Sequence, residues 1–237
     1  ALADTRASLR VLSDSSSLKS DLLRMVSHDL RSPLSEIMGL TALMHDEVPA
    51  NETKLARYLH LMEQSSQRMR DLLEGLLNLA RVENGVMEPT WQTLDAGDLV
   101  YSIVTDFETR ANSKGIVLKA TVDELPMSMV TDMTMFMQIL QNLISNAVKY
   151  SFHDTMVRID ARSDEDYLWI CVSDEGPGIS PADQRRMFQP FARLSARPTA
   201  GETSTGLGLS IVKTLVASIE GVIECKSALG MGTTFEV

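Results

Sequence analysis

Gln138-Ile139-Leu140-Gln141-Asn142-Leu143-Ile144-Ser145-Asn146-Ala147-Val148-Lys149-Tyr150 carries two patterns at once. Ile139, Leu143 and Ala147 recur every four residues and make one apolar helix face. Gln138, Asn142, Asn146 and Tyr150 recur at the same spacing along the adjoining edge. A helix buried by the first row therefore presents a row of polar side chains beside its core. Asp132 lies where an N-cap is expected, so the predicted helix runs over residues 132–150.

On either side of this helix the period changes to two. Alternating segments at 116–122, 157–161 and 168–173 predict strands, and 222–226 and 233–237 supply two more. Asp95 is placed to cap a helix ending near Gly115, and a further helix is expected from Leu207 to Ile219, stopped by Gly221. Strands and helices interleaved in this way describe a mixed α/β domain from about Met87 onward. Between Ser195 and Thr205 the chain is polar, with Pro198 and Gly201, a composition expected of a mobile loop.

Upstream the pattern is purely helical. Over residues 9–44, Leu18, Leu22, Met25, Leu30, Ile37, Leu40 and Met44 recur at a helical period, mostly three, four or seven apart, with Pro33 expected to kink the helix. Val48-Pro49-Ala50-Asn51 breaks it, and Asn51 can cap a second helix to about Val82. There Leu55, Leu59, Met62, Ser66, Met69, Leu73, Leu76 and Ala80 alternate spacings of four and three, a heptad seam. One hairpin of this length cannot cover its own apolar stripe. Two copies forming a four-helix bundle is the natural solution, so a homodimer is expected. The domain boundaries expected are 1–86 for the hairpin and 87–237 for the α/β domain.

Composition narrows the function classes. The chain has 237 residues, 44% hydrophobic and 23% charged, with no apolar run near the length of a membrane span. A net charge of -10 argues against nucleic acid or an anionic membrane surface as partner. Cys171 and Cys225 form no C-x-x-C pair, so neither a disulfide framework nor a zinc site is expected, and the compartment is read as reducing. Because the chain opens at Ala1 on a helical pattern, without Met or a signal peptide, it is read as a cytoplasmic fragment of a longer protein, whose own membrane attachment stays open.

His28 falls roughly 150° from the mean direction of its helix's apolar residues, at about 100° per residue, and so faces solvent. In isolation that describes an ordinary surface histidine. Its setting, Ser27-His28-Asp29-Leu30-Arg31-Ser32-Pro33-Leu34, resembles the phosphoacceptor box of sensor histidine kinases. Three further segments resemble the nucleotide boxes that these kinases share with gyrase-type ATPases: the helix quoted first, Asp174-Glu175-Gly176-Pro177-Gly178-Ile179, and Ser204-Thr205-Gly206-Leu207-Gly208-Leu209-Ser210. Phe188-Gln189-Pro190-Phe191-Ala192-Arg193 resembles their phenylalanine box, and Gly230-Met231-Gly232-Thr233-Thr234-Phe235 their closing glycine box. The boxes stand in the family order along essentially the whole chain.

This resemblance implies an α+β protein, a dimeric four-helix bundle followed by an α/β sandwich of the Bergerat type that binds ATP and Mg²⁺. It implies that His28 takes the γ-phosphoryl group and that Asp29 accepts or orients its proton. Ser32 stands where the family commonly has Thr or Asn to position water for phosphatase action. It keeps a hydroxyl without the usual side chain, which leaves that activity open. Asn146 would offer an amide oxygen to Mg²⁺ with Asn142 in support, Lys149 would meet a phosphate, and Tyr150 would lie beside the nucleotide. Asp174 would accept from the adenine amino group, with Gly176, Gly178 and Ile179 shaping the approach of backbone to base. Arg193 would contact phosphate, and the amides of Gly206, Leu207, Gly208 and Leu209 would meet the polyphosphate at a helix start, behind a lid formed by the preceding loop. Thr234 would touch the base region. A response regulator's receiver domain would then take the phosphoryl group onto an aspartate. Two other readings stay open: a nucleotide-binding scaffold that signals without phosphotransfer, and a simple ATPase of the same fold.

Overall fold

The computed structural model describes residues 88–123, 127–164, 167–200, 202 and 204–237, together with scattered positions between 30 and 69. The chain divides into two units, residues 1–77 and 78–237. In the first, every described position is helical: 30, 34, 35, 37–41, 57–59, 61, 62, 65, 66 and 69. They fall within both expected helices. Pro33 and the break at 48–51 lie outside the described residues, as do His28, Asp29 and Ser32. Leu40 and Ser65 are buried, whereas Leu34, Met38 and Leu59 are exposed.

The second unit begins with β1 (Gln92–Asp95) and α1 (Ala96–Asn112), then β2 (Val117–Val122), β3 (Ser128–Thr131) and α2 (Met133–Tyr150). It continues with β4 (Met156–Ser163), β5 (Leu168–Asp174), the short α3 (Pro181–Gln184), α4 (Gly208–Ser218), β6 (Glu224–Ser227) and β7 (Thr233–Glu236). Two aspartates start the long helices as expected. The Asp95 carboxylate accepts from the amides of Gly97 and Asp98, and Asp132 accepts from Met135 at 2.9 Å. Each satisfies donors that a helix start leaves open. Asp132 also accepts from the amide of Thr90 at 2.8 Å, which fastens the segment ahead of β1 to α2.

The main sheet runs in the order β2-β4-β5-β7-β6, with β2 and β4 parallel and the other neighbours antiparallel. β1 and β3 form a separate antiparallel pair, which the sequence reading does not anticipate. Each has four residues, too few to show alternation, and their pairing joins segments more than thirty positions apart. β6 starts at Glu224 rather than Val222 because its partner β7 offers only four positions, Thr233 to Glu236.

Alternation along the strands sorts side chains cleanly by face. Val157, Ile159, Ala161, Ile170, Val172 and Phe235 point to the face covered by helices and are buried with Ile139, Leu140, Leu143, Ile144 and Val148 of α2. Each of these side chains but Ala161 contributes about 1.5–3 kcal/mol by leaving water. The opposite face is polar: Glu236 takes the Lys226 ammonium at 2.6 Å and pairs with Arg162.

Candidate functional site

The polar edge of α2 runs beside its buried row, so Asn142, Asn146, Lys149 and Tyr150 are all half-buried at the rim of the helical layer. The start of α4 lies against the two asparagines. A β-carbon built on Gly208 would stand 3.0 Å from Asn142 Oδ1 and 3.7 Å from Asn146 Nδ2, so only glycine lets the helix start come this close without moving a side chain. Asn142 Nδ2 donates to the Gln138 carbonyl at 2.8 Å, which turns its oxygen toward α4. The N-cap of α4 is Leu207, which makes no side-chain cap. The Leu207 side chain itself is buried, so what it and Leu209 bring to this edge is backbone. Gly206, at φ +72°, brings the chain past the main chain of Phe191 and Ala192, where a β-carbon would meet atoms at 2.9–3.0 Å.

The other end of the site forms where β5 stops. Asp174 projects to the helical face, its Oδ1 accepting from the amide of Gly176 at 2.8 Å. Burial pushes its carboxyl up from 3.8 to about 6, partly opposed by main-chain hydrogen bonds from Gly176 and Thr233. A group in this state is ionised at neutral pH yet poorly solvated, and gains from a donor brought to it. Gly176 packs on the end of α2: its β-carbon would fall 2.6 Å from the carbonyl oxygen of Tyr150. The two ends are thus joined through α2. From Asn142 to Tyr150 is roughly 12 Å along a helix axis, the scale of an extended nucleoside triphosphate.

One expectation changes on the structure. Thr234 does not reach this group. It is paired with Ser173, the two hydroxyls lying 2.9 Å apart on the sheet face away from the helices. The residue beside Asp174 is Thr233, its register partner in β7 and buried, with Oγ1 3.0 Å from Ser227 Oγ. Gly178, for its part, is required by protein contact: at φ +71° its β-carbon would lie 2.0 Å from the carbonyl oxygen of Ala228. Ile179, next to it, is buried and tied by its amide to Ser227 Oγ at 2.8 Å. Arg193 is exposed, and its carbonyl accepts from Arg186 at 2.9 Å.

The loop expected to be mobile is well tied at its described residues. The buried carboxylate of Asp183 accepts from the amide and the hydroxyl of Ser195 and from Arg186. Thr199 donates its amide to the Lys149 carbonyl at 3.2 Å, and Tyr150 Oη donates to Ser204 Oγ at 3.3 Å. Asp183, Lys114 and Thr233 escape the sequence reading. Of these only Thr233 lies inside a quoted motif, one position before Thr234.

Among the described residues no group of three His, Cys, Asp or Glu side chains is arranged to hold a metal ion. The donors the site does offer are amide oxygens on α2, hard ligands that suit Mg²⁺ when phosphates and water complete its shell. Among the described residues no helix is long and apolar enough to cross a membrane.

The chain resembles known proteins over most of its length. Residues 18–85 match the family described as "His Kinase A (phospho-acceptor) domain", and residues 131–237 that described as "Histidine kinase-, DNA gyrase B-, and HSP90-like ATPase". The autoinducer 2 sensor kinase/phosphatase LuxQ of Vibrio parahaemolyticus is 30% identical over 231 residues, 94% of this chain and 26% of that protein. The structure of the Acinetobacter baumannii histidine kinase AdeS superposes with a TM-score of 0.68 at 26% identity, over 88% of this chain and 95% of that one. Full-length ShkA in complex with AMPPNP gives 0.66 at 26% identity, over 92% of this chain and 44% of that one. The chain spans 18% to 42% of the length of the curated relatives it matches. With the phospho-acceptor match and the ATPase match in family order on one chain, the protein belongs to the sensor histidine kinases of two-component systems.

Proposed function

We propose that this chain moves the γ-phosphoryl group of ATP onto His28 and passes it to an aspartate of a response regulator's receiver domain. The observation that carries the reading is the pairing of two ends on one helix edge. Asp174 is a desolvated carboxylate able to accept from an adenine amino group, and at the start of α4 Gly208 meets Asn142 and Asn146, where this reading puts the phosphates.

The protein's work in such a displacement is to position and to screen charge. Asp174, Gly176 and Thr233 orient the base. The amides of Gly208 and Leu209 and the Lys149 ammonium draw negative charge toward α4. Asn146 and Asn142 would hold Mg²⁺, which would screen the phosphate oxygens. The neutral His28 imidazole attacks the γ-phosphorus with one nitrogen as the bond to the ADP oxygen breaks, and Asp29 accepts the proton from the other. Ser32, four residues beyond His28 in sequence, keeps a hydroxyl where the family sets a water-positioning side chain, and phosphatase action on the regulator stays open. The functional unit is a homodimer built on the hairpin, 1–86, with 87–237 as the catalytic domain. The exposed Leu34, Met38 and Leu59 support a second copy on that hairpin. The site of action is the cytoplasm.

Mass spectrometry tests the acceptor directly. After incubation with ATP and Mg²⁺, tryptic peptide 25–31, in which His28 is the sole histidine, should carry one added phosphoryl group. An unmodified peptide 25–31 with the phosphoryl group elsewhere would overturn the assignment.

A further inference from the structure

Lys114 is only 6% exposed, at the turn after α1, far in sequence from every motif above. Its ammonium donates to the carbonyls of Val148 and Lys149 at 2.8 and 3.1 Å, at the C-terminal end of α2. The same nitrogen lies 2.8 Å from Thr199 Oγ1 and 3.2 Å from Glu202 Oε1, both in the loop that runs toward Gly206. A cation at a helix C-terminus meets the negative end of the dipole, and a buried one needs partners on every side. Burial raises the Glu202 carboxyl, but main-chain hydrogen bonds from Glu202 and Ala200, with the Lys114 ammonium, outweigh it and hold the group below its ordinary value. The loop side of this pair is therefore a carboxylate. Thr199 closes the arrangement, donating its amide to Lys149 and its hydroxyl to the Ser151 carbonyl.

We propose that Lys114 is a positioning residue that latches the lid loop, through Glu202 and Thr199, to the end of the nucleotide helix, and that nucleotide release requires this latch to open. The inference rests on the ATP reading above and adds to it a control over the lid. The latch grips the two residues, Lys149 and Tyr150, that the site uses: one ammonium fixes the Lys149 carbonyl and the loop that Tyr150 touches at Ser204. Loosening it therefore acts on how long nucleotide stays, while the phosphoryl-transfer geometry at Asn142, Asn146 and Gly208 is untouched.

Glu202→Gln removes the charge on the loop side and leaves Lys114 its two helix carbonyls, so it separates the latch from folding. Lys114→Arg keeps the charge, and Lys114→Met removes it. Three readouts are made on the full chain: hydrogen exchange of the Thr199 and Ala200 amides without nucleotide, stopped-flow release of a fluorescent ATP analogue, and the KM and kcat of autophosphorylation. Glu202→Gln should raise amide exchange at both positions by about tenfold or more and speed release by a similar factor. The KM for ATP in autophosphorylation should rise with kcat changed less than twofold, and Lys114→Arg should recover part of the loss. Parent-like exchange and release in Glu202→Gln would overturn the latch. A parent chain that binds no analogue would contradict the ATP reading, while the nucleotide-free exchange readout would still decide whether Glu202 holds the loop.

Discussion

Gly208 stands against Asn142 so closely that a β-carbon there would come within 3.0 Å of the amide oxygen. That contact joins the start of α4 to the polar edge of α2, and it separates the demands of stability from those of binding. In a helix, alanine is favoured over glycine by about 0.5–1 kcal/mol. Gly208→Ala should therefore change unfolding free energy by less than about 1 kcal/mol, because the gain offsets the small shift asked of Asn142. Nucleotide affinity should fall about tenfold, or about 1.4 kcal/mol. Denaturant melts beside equilibrium titration with an ATP analogue measure both.

Asp174 makes stability and binding run in opposite directions with pH. Its carboxyl is raised from 3.8 to about 6, so the folded chain holds a proton that the unfolded chain has lost. The stability it contributes is present below about pH 3.8 and is lost as pH rises through about 6. The carboxylate that accepts a donor appears over the same window, so analogue binding should strengthen between pH 5 and 7. Asp174→Asn should abolish that binding and flatten its pH profile. At pH 8 it should raise stability by on the order of 1–3 kcal/mol, since the buried charge is gone. A variant less stable than the parent at pH 8 would count against the argument.

Three glycines with positive φ should respond very differently to alanine. At Gly178 and Gly232 the new β-carbon would fall 2.0 Å from a carbonyl oxygen, of Ala228 and of Asp174 respectively. Backbone must move there, and losses of about 3 kcal/mol or more, or no soluble protein, are expected. Gly230 has φ +76° with nothing within 4 Å, so only the left-handed conformation is penalised, by about 1–2 kcal/mol. Thermal melts of the three variants rank them.

Thr233 and Thr234 are adjacent in β7 yet face opposite sides of the sheet. Thr234→Val should change nucleotide affinity less than twofold, because it disturbs only the Ser173 pair. Thr233→Val should weaken binding by about tenfold, near 1.4 kcal/mol. Isothermal titration of the two variants with the same analogue decides between the faces.

What could be read from the sequence was what is encoded locally. Asp95 and Asp132 announce their helices because a cap acts over three residues, and α2 shows its two faces within thirteen positions. The amide row, Asp174 and the glycines at Gly206 and Gly208 were legible for the same reason. Thr233 was missed by one position because which face a strand residue takes depends on register with β5, which local pattern does not carry. Lys114 was invisible because its meaning lies in partners 34 to 88 residues away. β1 and β3 are too short to show a period and owe their existence to each other.

The central claim is that γ-phosphoryl leaves ATP for His28. Incubating the chain with γ-labelled ATP and Mg²⁺, beside His28→Gln and Asn146→Ala, follows the group itself. Acid-labile, base-stable label on the parent and on neither variant is the predicted result. Bound ATP without label would make the chain a nucleotide-binding scaffold, and free phosphate released undiminished by His28→Gln would make it an ATPase; either would contradict the account.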